Sequence, residues 1–189
     1  MKPLIILDLD ETLIHSESMR DELAVSYNYD YDFKFPNFGK TFYYTKKRPY
    51  LEQFLDYAFE NFDVAIWTAA GEDYAKEIIR NIGILESSLN FFYTKDKCTI
   101  KLSLDYSDYY GVKNLNKLKK SGYDLDRVLI VDDIRETAVN NYGNLILIKP
   151  FTDNTDDTEL LRLISYLQTI KDEPNYRRIE KRGWSNSSK

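Results

Sequence analysis

Two aspartates, Asp8 and Asp10, follow a short apolar run and are followed in turn by Thr12. Residues 5–7 are typical of a buried parallel strand, which is apolar on both of its faces. Ligand sites in open α/β sheets lie just beyond the carboxyl ends of such strands. Two carboxylates at that place can bind a hard cation and can divide the roles of nucleophile and acid–base catalyst. Turn formation is the alternative role, because aspartate is common in turns.

A threonine and a lysine farther along the chain are candidate ligands for phosphate oxygens. Thr68 ends a predicted buried strand that begins at Asp63, and a helix is predicted to open at Glu72. A hydroxyl beside the free N–H groups of a helix start can bind a phosphate oxygen, although capping that helix is its alternative role. Lys113 begins a predicted helix, residues 112–120, from which it would either offer a counter-charge to phosphate or lie on the surface.

A second acidic pair, Asp132 and Asp133, ends the predicted strand 127–131. Paired carboxylates at the end of a strand suit a magnesium site, because Mg²⁺ prefers oxygen ligands. Capping of the next helix is the alternative role for the same pair. The sequence therefore offers carboxylates at the ends of two predicted strands.

The chain has one histidine and one cysteine. His15 lies five residues past Asp10, and a hydrogen-bonding role in that loop is favoured because Asp10 can already act as the base. Cys98 excludes an internal disulfide, because a disulfide needs two cysteines. A cysteine phosphatase needs an arginine about six residues after its nucleophile, where this chain has Leu104. We predict that Cys98 is a small buried thiol.

The order of these residues matches the motifs of the haloacid-dehalogenase superfamily. Residues 7–16 carry its DxDx[TV] signature and resemble the branch that acts on the C-terminal domain of RNA polymerase II (FCP/SCP-like, NLI-interacting-factor-like). Further segments resemble that branch at 47–55, 66–70, 112–115 and 127–133. The resemblance covers about residues 3–170. It departs at Ile134-Arg135, where members often carry Ser-Pro, and in the segment 15–47.

The resemblance implies a Mg²⁺-dependent phosphomonoester hydrolase that works through an aspartyl-phosphate. Asp8 would be the nucleophile, and Asp10 would act first as acid and then as base. The metal would be held by Asp8, the backbone carbonyl of Asp10, Asp132 and Asp133. Of the last two, Asp133 would be the direct ligand and Asp132 its support.

The resemblance also implies which residues contact the substrate. These are Thr12, Arg48, Thr68, Ala69 and Lys113, of which Thr68 and Lys113 would hold the oxygens of the transferred phosphoryl group. Arg48 either lines the substrate mouth or pairs with an acidic residue of the fold. The expected substrate is phosphoserine or phosphothreonine in a protein segment. The alternative is a small metabolite or a nucleotide or nucleic-acid end, and a non-catalytic binding module is disfavoured because both aspartates of the first motif are present.

Strands and helices alternate after residue 48, which predicts a parallel sheet with helices on both faces. We therefore expect a Rossmann-like haloacid-dehalogenase fold in one domain, residues 1–171. The predicted strands are 5–7, 63–68, 127–131 and 145–148, and the predicted helices are 49–60, 72–82, 112–120 and 156–170.

The segment 15–47 interrupts this alternation. Its aromatic stretches, 27–35 and 41–45, flank a turn signal at 36–39, which predicts a small antiparallel β insert over the active site. Its tyrosines and phenylalanines exceed what a two-sided ribbon could bury, so some are expected to face the substrate. Aromatic faces beside an anionic centre suit an extended or proline-containing phosphopeptide better than a sugar phosphate.

Composition limits the partners and the location. The net charge of −5 disfavours nucleic acid as a partner. No apolar stretch approaches the roughly 18 residues of a membrane helix, and no secretory signal precedes the first strand, so an intracellular, soluble protein (cytoplasmic or nuclear) is expected. The segment 172–189 is basic, and we expect a flexible tail rather than a binding arm. The oligomeric state does not follow from the sequence.

Overall fold

The computed structural model describes residues 2–102 and 109–186. The strands of the described residues are β1 (Leu4–Leu7), β2 (Ile14–Arg20), β3 (Phe33–Pro36), β4 (Thr41–Lys47), β5 (Asp63–Trp67), β6 (Phe92–Tyr93), β7 (Thr99–Leu102), β8 (Tyr109–Val112), β9 (Val128–Asp132) and β10 (Leu145–Leu147). The α-helices are α1 (Asp21–Ser26), α2 (Leu51–Asn61), α3 (Glu72–Asn81), α4 (Asn116–Lys119) and α5 (Glu159–Ile170). Within these residues, no helix is both long enough and apolar enough to span a membrane.

The main sheet has five parallel strands in the order β10-β9-β1-β5-β6. The first strand lies in the middle, so the residues that follow β1 are flanked by the ends of β5 and β9. Each of the four predicted strands is present within one or two residues. β6 was not predicted, because two residues are too short to show a pattern.

Both faces of this sheet are covered. Ile5 and Leu7 pack into a core under α2, α3 and α5, whereas Leu4 and Ile6 pack into a second core that α4 and short 3₁₀ turns cover. These four side chains are buried, and each fully buried aliphatic side chain contributes roughly 1.5–3 kcal/mol. Burial on both sides explains why β1 is continuously apolar. The predicted fold class is confirmed.

The insert between β1 and α2 is a three-stranded antiparallel sheet in the order β2-β4-β3. The predicted antiparallel insert is therefore confirmed, although its elements differ from those expected. β2 was missed because its sequence, IHSESMR, is polar, and α1 follows it directly. The predicted strand 27–35 is reduced to β3, which begins at Phe33.

The predicted helix 112–120 is wrong in its first half. Val112 ends β8 and pairs with Thr99 of β7, so the chain is extended there. Lys113 follows in a loop, where its N–H donates to the carbonyl of Thr137 at 2.7 Å. Only the four residues of α4 are helical. The apolar residues Val112 and Leu115 gave a helix-like spacing, but strand pairing fixes the first of them.

The prediction of a flexible tail is wrong for the described residues 172–186. Tyr176 and Trp184 are buried, and the indole Nε1–H of Trp184 donates to the carbonyl of Leu147 at 2.8 Å. The Trp184 ring also lies 5.6 Å from that of Tyr166 on α5. Burial of two large aromatic side chains stabilises this segment against the domain. The prediction relied on the basic composition of the segment and gave no weight to these two aromatic residues.

Candidate active site

Lys113 joins the ends of β1 and β9. Its Nζ donates to Asp8 Oδ1 at 2.5 Å and to Asp132 Oδ2 at 2.6 Å, and all three side chains are buried. The two aspartates meet because β1 and β9 are paired, and the N–H of Asp8 continues this ladder by donating to Val131 O at 3.1 Å. An ammonium group has three donors. Two are used among the described residues, and contact between the third and a phosphate oxygen stays a prediction.

Asp133 completes an acidic cluster with these two residues. One carboxylate oxygen from each of Asp8, Asp132 and Asp133 lies within 4.8 Å of the others. Asp132 is engaged on both oxygens, because it also accepts the N–H of Ile134 at 2.9 Å. Asp133 accepts a long hydrogen bond, 3.4 Å, from the Thr12 hydroxyl, and no ion pair with Asp133 is formed within residues 2–102 and 109–186. Asp133 is thus the freer ligand of the pair.

The donor set fits a magnesium ion. Three carboxylates and one ammonium leave two negative charges uncompensated, which is the charge of one divalent cation. Hard oxygen ligands are what Mg²⁺ prefers. The backbone carbonyl of Asp10 stays a predicted ligand.

The pKa values of the cluster are shifted by burial and by the charges of neighbouring groups. Burial raises the pKa of Asp8 well above its ordinary value, and Lys113 opposes that shift. Burial alone would lower the pKa of Lys113, but the Asp8 and Asp132 carboxylates outweigh burial and raise it. Burial, together with the charge of Asp132, raises the pKa of Asp133 to about 6. A cation bound by Asp133 would oppose these upward shifts of the carboxyl groups.

Asp10 is held by a tyrosine that the sequence analysis missed. Tyr74 lies in the first turn of α3, and its hydroxyl donates to Asp10 Oδ1. The Tyr74 ring lies 5.6 Å from that of Phe35 and 4.8 Å from that of Tyr43, both in the insert. Burial raises the pKa of Asp10, and the Tyr74 hydrogen bond opposes that shift. The available signal was the helix predicted to open just after Thr68, whose first turn had to lie at this edge of the sheet.

Thr68 lies beyond β5, beside the end of β1, as predicted. It is buried, and its hydroxyl accepts the N–H of Ala70 at 3.0 Å in a local turn, whereas α3 begins after Gly71 without a side-chain cap, so Thr68 does not cap that helix. Accepting this bond leaves the hydroxyl proton of Thr68 to be donated elsewhere. Ala69 is exposed next to it. Phosphate binding by Thr68 and Ala69 stays a prediction.

Arg48 takes the second of the two roles that were left open for it, and Thr12 has a partner in the acidic cluster. Arg48 is fully buried, and its Nε and Nη2 donate to Asp157 at 3.0 and 2.9 Å. It also donates to the carbonyls of Thr12 and Lys149 at 3.0 and 2.7 Å. Arg48 therefore pairs with an acidic residue of the fold. Thr12 is fully buried too, and its hydroxyl lies 3.4 Å from Asp133 Oδ1, so substrate contact by Thr12 stays a prediction.

The roles predicted for His15 and Cys98 are confirmed. His15 Nδ1 shares a 3.1 Å hydrogen bond with Glu11 in the loop after β1. Cys98 is buried, with its Sγ 3.8 Å from the carbonyl of Thr68. Burial raises the pKa of the Cys98 thiol, which disfavours a thiolate nucleophile.

The aromatic residues of the insert divide into two groups. Phe35 is buried and Tyr43 is half-buried, and both face Tyr74 and so approach Asp10. Phe38, in contrast, is 86% exposed at the turn between β3 and β4. Some aromatic residues of the insert thus pack beside the active site, and others are exposed to solvent. Contact between the insert and a peptide stays a prediction.

Comparisons with known proteins agree with this geometry. Residues 3–177 match the model of the NLI interacting factor-like phosphatases. The CTD phosphatase-like protein 355R of invertebrate iridescent virus 3 is 33% identical over 187 residues, which cover 90% of this chain and 97% of that protein. Nuclear envelope morphology protein 1 of Saccharomyces cerevisiae is 31% identical, with 94% of this chain and 41% of that protein covered.

Solved structures give the same fold. The fission yeast RNA polymerase II CTD phosphatase Fcp1, as an R271A variant bound to beryllium fluoride, matches with a TM-score of 0.59 and 25% identity over 79% of this chain. A second structure of Fcp1 matches with a TM-score of 0.61 and 23% identity over 93% of this chain. This chain spans 42% and 51% of the length of those two chains. The chain belongs to the NLI interacting factor-like phosphatase family and is a phosphatase with the haloacid-dehalogenase fold.

Proposed function

We propose that this phosphatase is Mg²⁺-dependent and removes phosphate from phosphoserine or phosphothreonine in a protein, through an aspartyl-phosphate on Asp8. The observation that carries the proposal is the convergence of Asp8, Asp132 and Asp133 within 4.8 Å, with Lys113 hydrogen-bonded to the first two. A protein substrate is supported by the names of the relatives, which include CTD phosphatases.

In the first half-reaction an Asp8 oxygen attacks phosphorus, an oxygen–phosphorus bond forms, and the ester bond to the serine or threonine oxygen breaks. Asp10 gives its proton to that leaving oxygen. Burial raises the pKa of Asp10, which favours the protonated form that this step requires. Tyr74 holds the Asp10 carboxyl in place by donating to one of its oxygens.

In the second half-reaction water attacks phosphorus and Asp10 takes the proton of that water. The bond between Asp8 and phosphorus breaks, and inorganic phosphate leaves with the original carboxylate restored. One carboxyl group serves as acid and then as base because the two steps move the proton in opposite directions. Lys113 keeps Asp8 oriented throughout and, with Thr68 and Ala69, would hold the phosphoryl oxygens.

The metal would be held by Asp8, Asp133 and the backbone carbonyl of Asp10, with Asp132 as support. When bound, Mg²⁺ neutralises the repulsion between an anionic nucleophile and an anionic substrate. Asp132 suits the supporting role, because both of its oxygens are already hydrogen-bonded, one to Lys113.

The proposal is tested by phosphate release from phosphoserine and phosphothreonine peptides, sugar phosphates and nucleotides, with Mg²⁺ and with EDTA. We expect the peptides to be preferred, activity to be lost in EDTA, and Mg²⁺ to restore it better than Ca²⁺. Full activity in EDTA would contradict the metal assignment. A preference for nucleotides or sugar phosphates would contradict the protein substrate.

The nucleophile is tested separately by Asp8→Asn. The amide has the shape of the carboxylate but cannot attack phosphorus, so turnover should vanish while the fold persists. Asp172→Asn, at an exposed position after α5, is the matched control and should keep full activity. Turnover by Asp8→Asn above a few per cent of wild type would remove Asp8 from the nucleophile role.

A further inference from the structure

A groove runs along the β10 edge of the main sheet, outside the active site described above. Its volume is about 690 Å³, and it lies between β10 and the segment 177–185, which was expected to be a flexible tail. β10 is an edge strand of the sheet, and the side chains of Leu145 and Leu147 line one wall. We call this space the C-terminal groove.

The wall formed by the segment 177–185 is fixed in place by a buried lysine. Lys181 is only 8% exposed, and its Nζ donates to the carbonyls of Gly143, Ile179 and Tyr176, the first two at 2.7 and 3.1 Å. These three hydrogen-bond partners are neutral carbonyls, so they stabilise the ammonium group without cancelling its charge. Burial lowers the pKa of Lys181 to about 8, so the side chain is still mostly protonated at neutral pH. The groove therefore has a cationic base.

The remaining charges of the C-terminal groove are also mostly positive. The cationic residues that line it are Arg135, Arg177, Arg178, Lys181 and Arg182, against one acidic residue, Glu180. Glu180 is already paired with Arg182, and Arg177 lies 3.7 Å from Asp126. Within residues 2–102 and 109–186, no ion pair is formed by Arg135 or Arg178, and both are exposed. A positive groove on a chain with a net charge of −5 marks a local preference for an anionic ligand.

One end of the groove lies close to the active site. Leu147, in its wall, is paired with Asp132 in the register of β9 and β10. Arg135 follows Asp133 by two residues along the chain. A chain lying in the groove would thus begin one strand away from the acidic cluster.

We propose that the C-terminal groove binds an acidic segment of the phosphoprotein substrate, next to the phosphorylated residue, which rests on the proposed function. A concave groove suits an extended chain, whose carboxylates can reach the exposed Arg135 and Arg178, better than the flat surface of an anionic membrane. Trp184 already donates to the Leu147 carbonyl at 2.8 Å, so recognition would depend on charged side chains more than on strand addition.

The first test measures binding of a labelled, unphosphorylated peptide of alternating aspartate and serine by fluorescence anisotropy. The wild-type chain should bind this aspartate peptide more tightly than it binds a matched peptide with asparagine in place of aspartate. Added salt should weaken binding of the aspartate peptide. Arg178→Glu should lower the affinity about tenfold, because a repulsion replaces an attraction. Arg80→Glu makes the same charge change at an exposed site on α3 and should bind like wild type.

The second test compares kcat/KM for two phosphoserine peptides that carry aspartates or asparagines beside the phosphoserine. The wild-type chain and Arg80→Glu should prefer the acidic peptide, and Arg178→Glu should lose that preference. Circular dichroism of both variants confirms that each is folded. The binding test needs no turnover, so it can fail or succeed independently of the proposed function.

Three results would overturn the proposal. One is equal binding of the aspartate and asparagine peptides by the wild-type chain. Another is acidic-peptide binding with no kinetic preference for the acidic phosphopeptide. The third is Arg178-dependent binding to vesicles of phosphatidylserine and phosphatidylcholine without binding to the acidic peptide, which would assign the groove to a membrane surface instead.

Discussion

Lys113 and Arg48 are both fully buried cations, yet their surroundings differ. Lys113 is held between Asp8 and Asp132, with the third carboxylate of the acidic cluster alongside. Arg48 is held by one carboxylate, that of Asp157, and by backbone carbonyls. Lys113 was expected to contact substrate, whereas Arg48 was left between that role and pairing with an acidic residue, and the structure shows Arg48 paired with Asp157.

The difference is one of charge balance. Around Arg48 one positive charge meets one negative charge, and carbonyls accept the remaining guanidinium protons. Around Lys113 negative charge is in excess, which is the charge that the proposed Mg²⁺ would balance. Buried groups with uncompensated charge and shifted pKa values cluster where proteins do chemistry. A buried cation in a balanced pair is instead part of the scaffold.

The largest expected effect comes from Lys113→Met, which should lower kcat/KM by about 100- to 1000-fold, as loss of a preorganised charge does. The variant should also unfold at a lower temperature in EDTA, because three carboxylates are left without their cation. Saturating Mg²⁺ should reverse much of the loss in unfolding temperature, since a ligand that binds only the folded state stabilises that state. Phosphate release and thermal unfolding measure the two effects.

The control for Lys113 is Lys117→Met, which removes an exposed lysine four residues later. It should keep both activity and stability. If Lys113→Met kept full activity, Lys113 would belong with Arg48 as a scaffold cation, and the distinction between them would be lost.

Arg48→Met should act on stability rather than on chemistry. It leaves Asp157 buried without its cation, and breaking a buried pair in this way costs about 3–5 kcal/mol of unfolding free energy. Urea unfolding measures that loss, and Mg²⁺ should not restore it. Turnover per folded molecule should fall far less than in Lys113→Met. A large loss of turnover at unchanged stability would indicate instead that Arg48 contacts the substrate.

Tyr74→Phe should have the smallest effect of the three substitutions, and the size of its effect on kcat/KM should depend on the leaving group of the substrate. Without the hydroxyl, Asp10 is less well positioned to protonate a serine oxygen, so kcat/KM for a phosphoserine peptide should fall about tenfold. Para-nitrophenyl phosphate has a leaving group that needs no proton, so its turnover should be nearly unchanged. Tyr57→Phe, which removes a hydroxyl from α2, is the control. Equal losses on both substrates would make Tyr74 a structural residue only.

The active-site aspartates could be predicted because each lies at the end of an apolar strand. Asp8 and Asp132 needed only the strand pattern, which fixes where a parallel strand ends. Tyr74 could not be predicted from its own neighbourhood, because the hydrogen bond to Asp10 depends on how α3 packs against the insert. Arg48 was left between two roles for the same reason, since its partner Asp157 is 109 residues away in sequence.

The polar and terminal segments were the least predictable parts of the fold. β2 has no apolar alternation, and its pairing with β4 determines its structure. The segment after α5 reads as a basic tail, yet Tyr176 and Trp184 hold it against the domain. In both cases long-range packing, not local composition, fixes the chain.

The most direct test of the account is a crystal structure of the chain with Mg²⁺ and beryllium fluoride, which stands in for the phosphoryl group of an acyl phosphate. We expect beryllium attached to an Asp8 oxygen, Mg²⁺ bound by Asp8 and Asp133, and Lys113 in contact with a fluoride. Beryllium fluoride on another residue, with the Asp8 carboxylate free, would contradict the covalent mechanism.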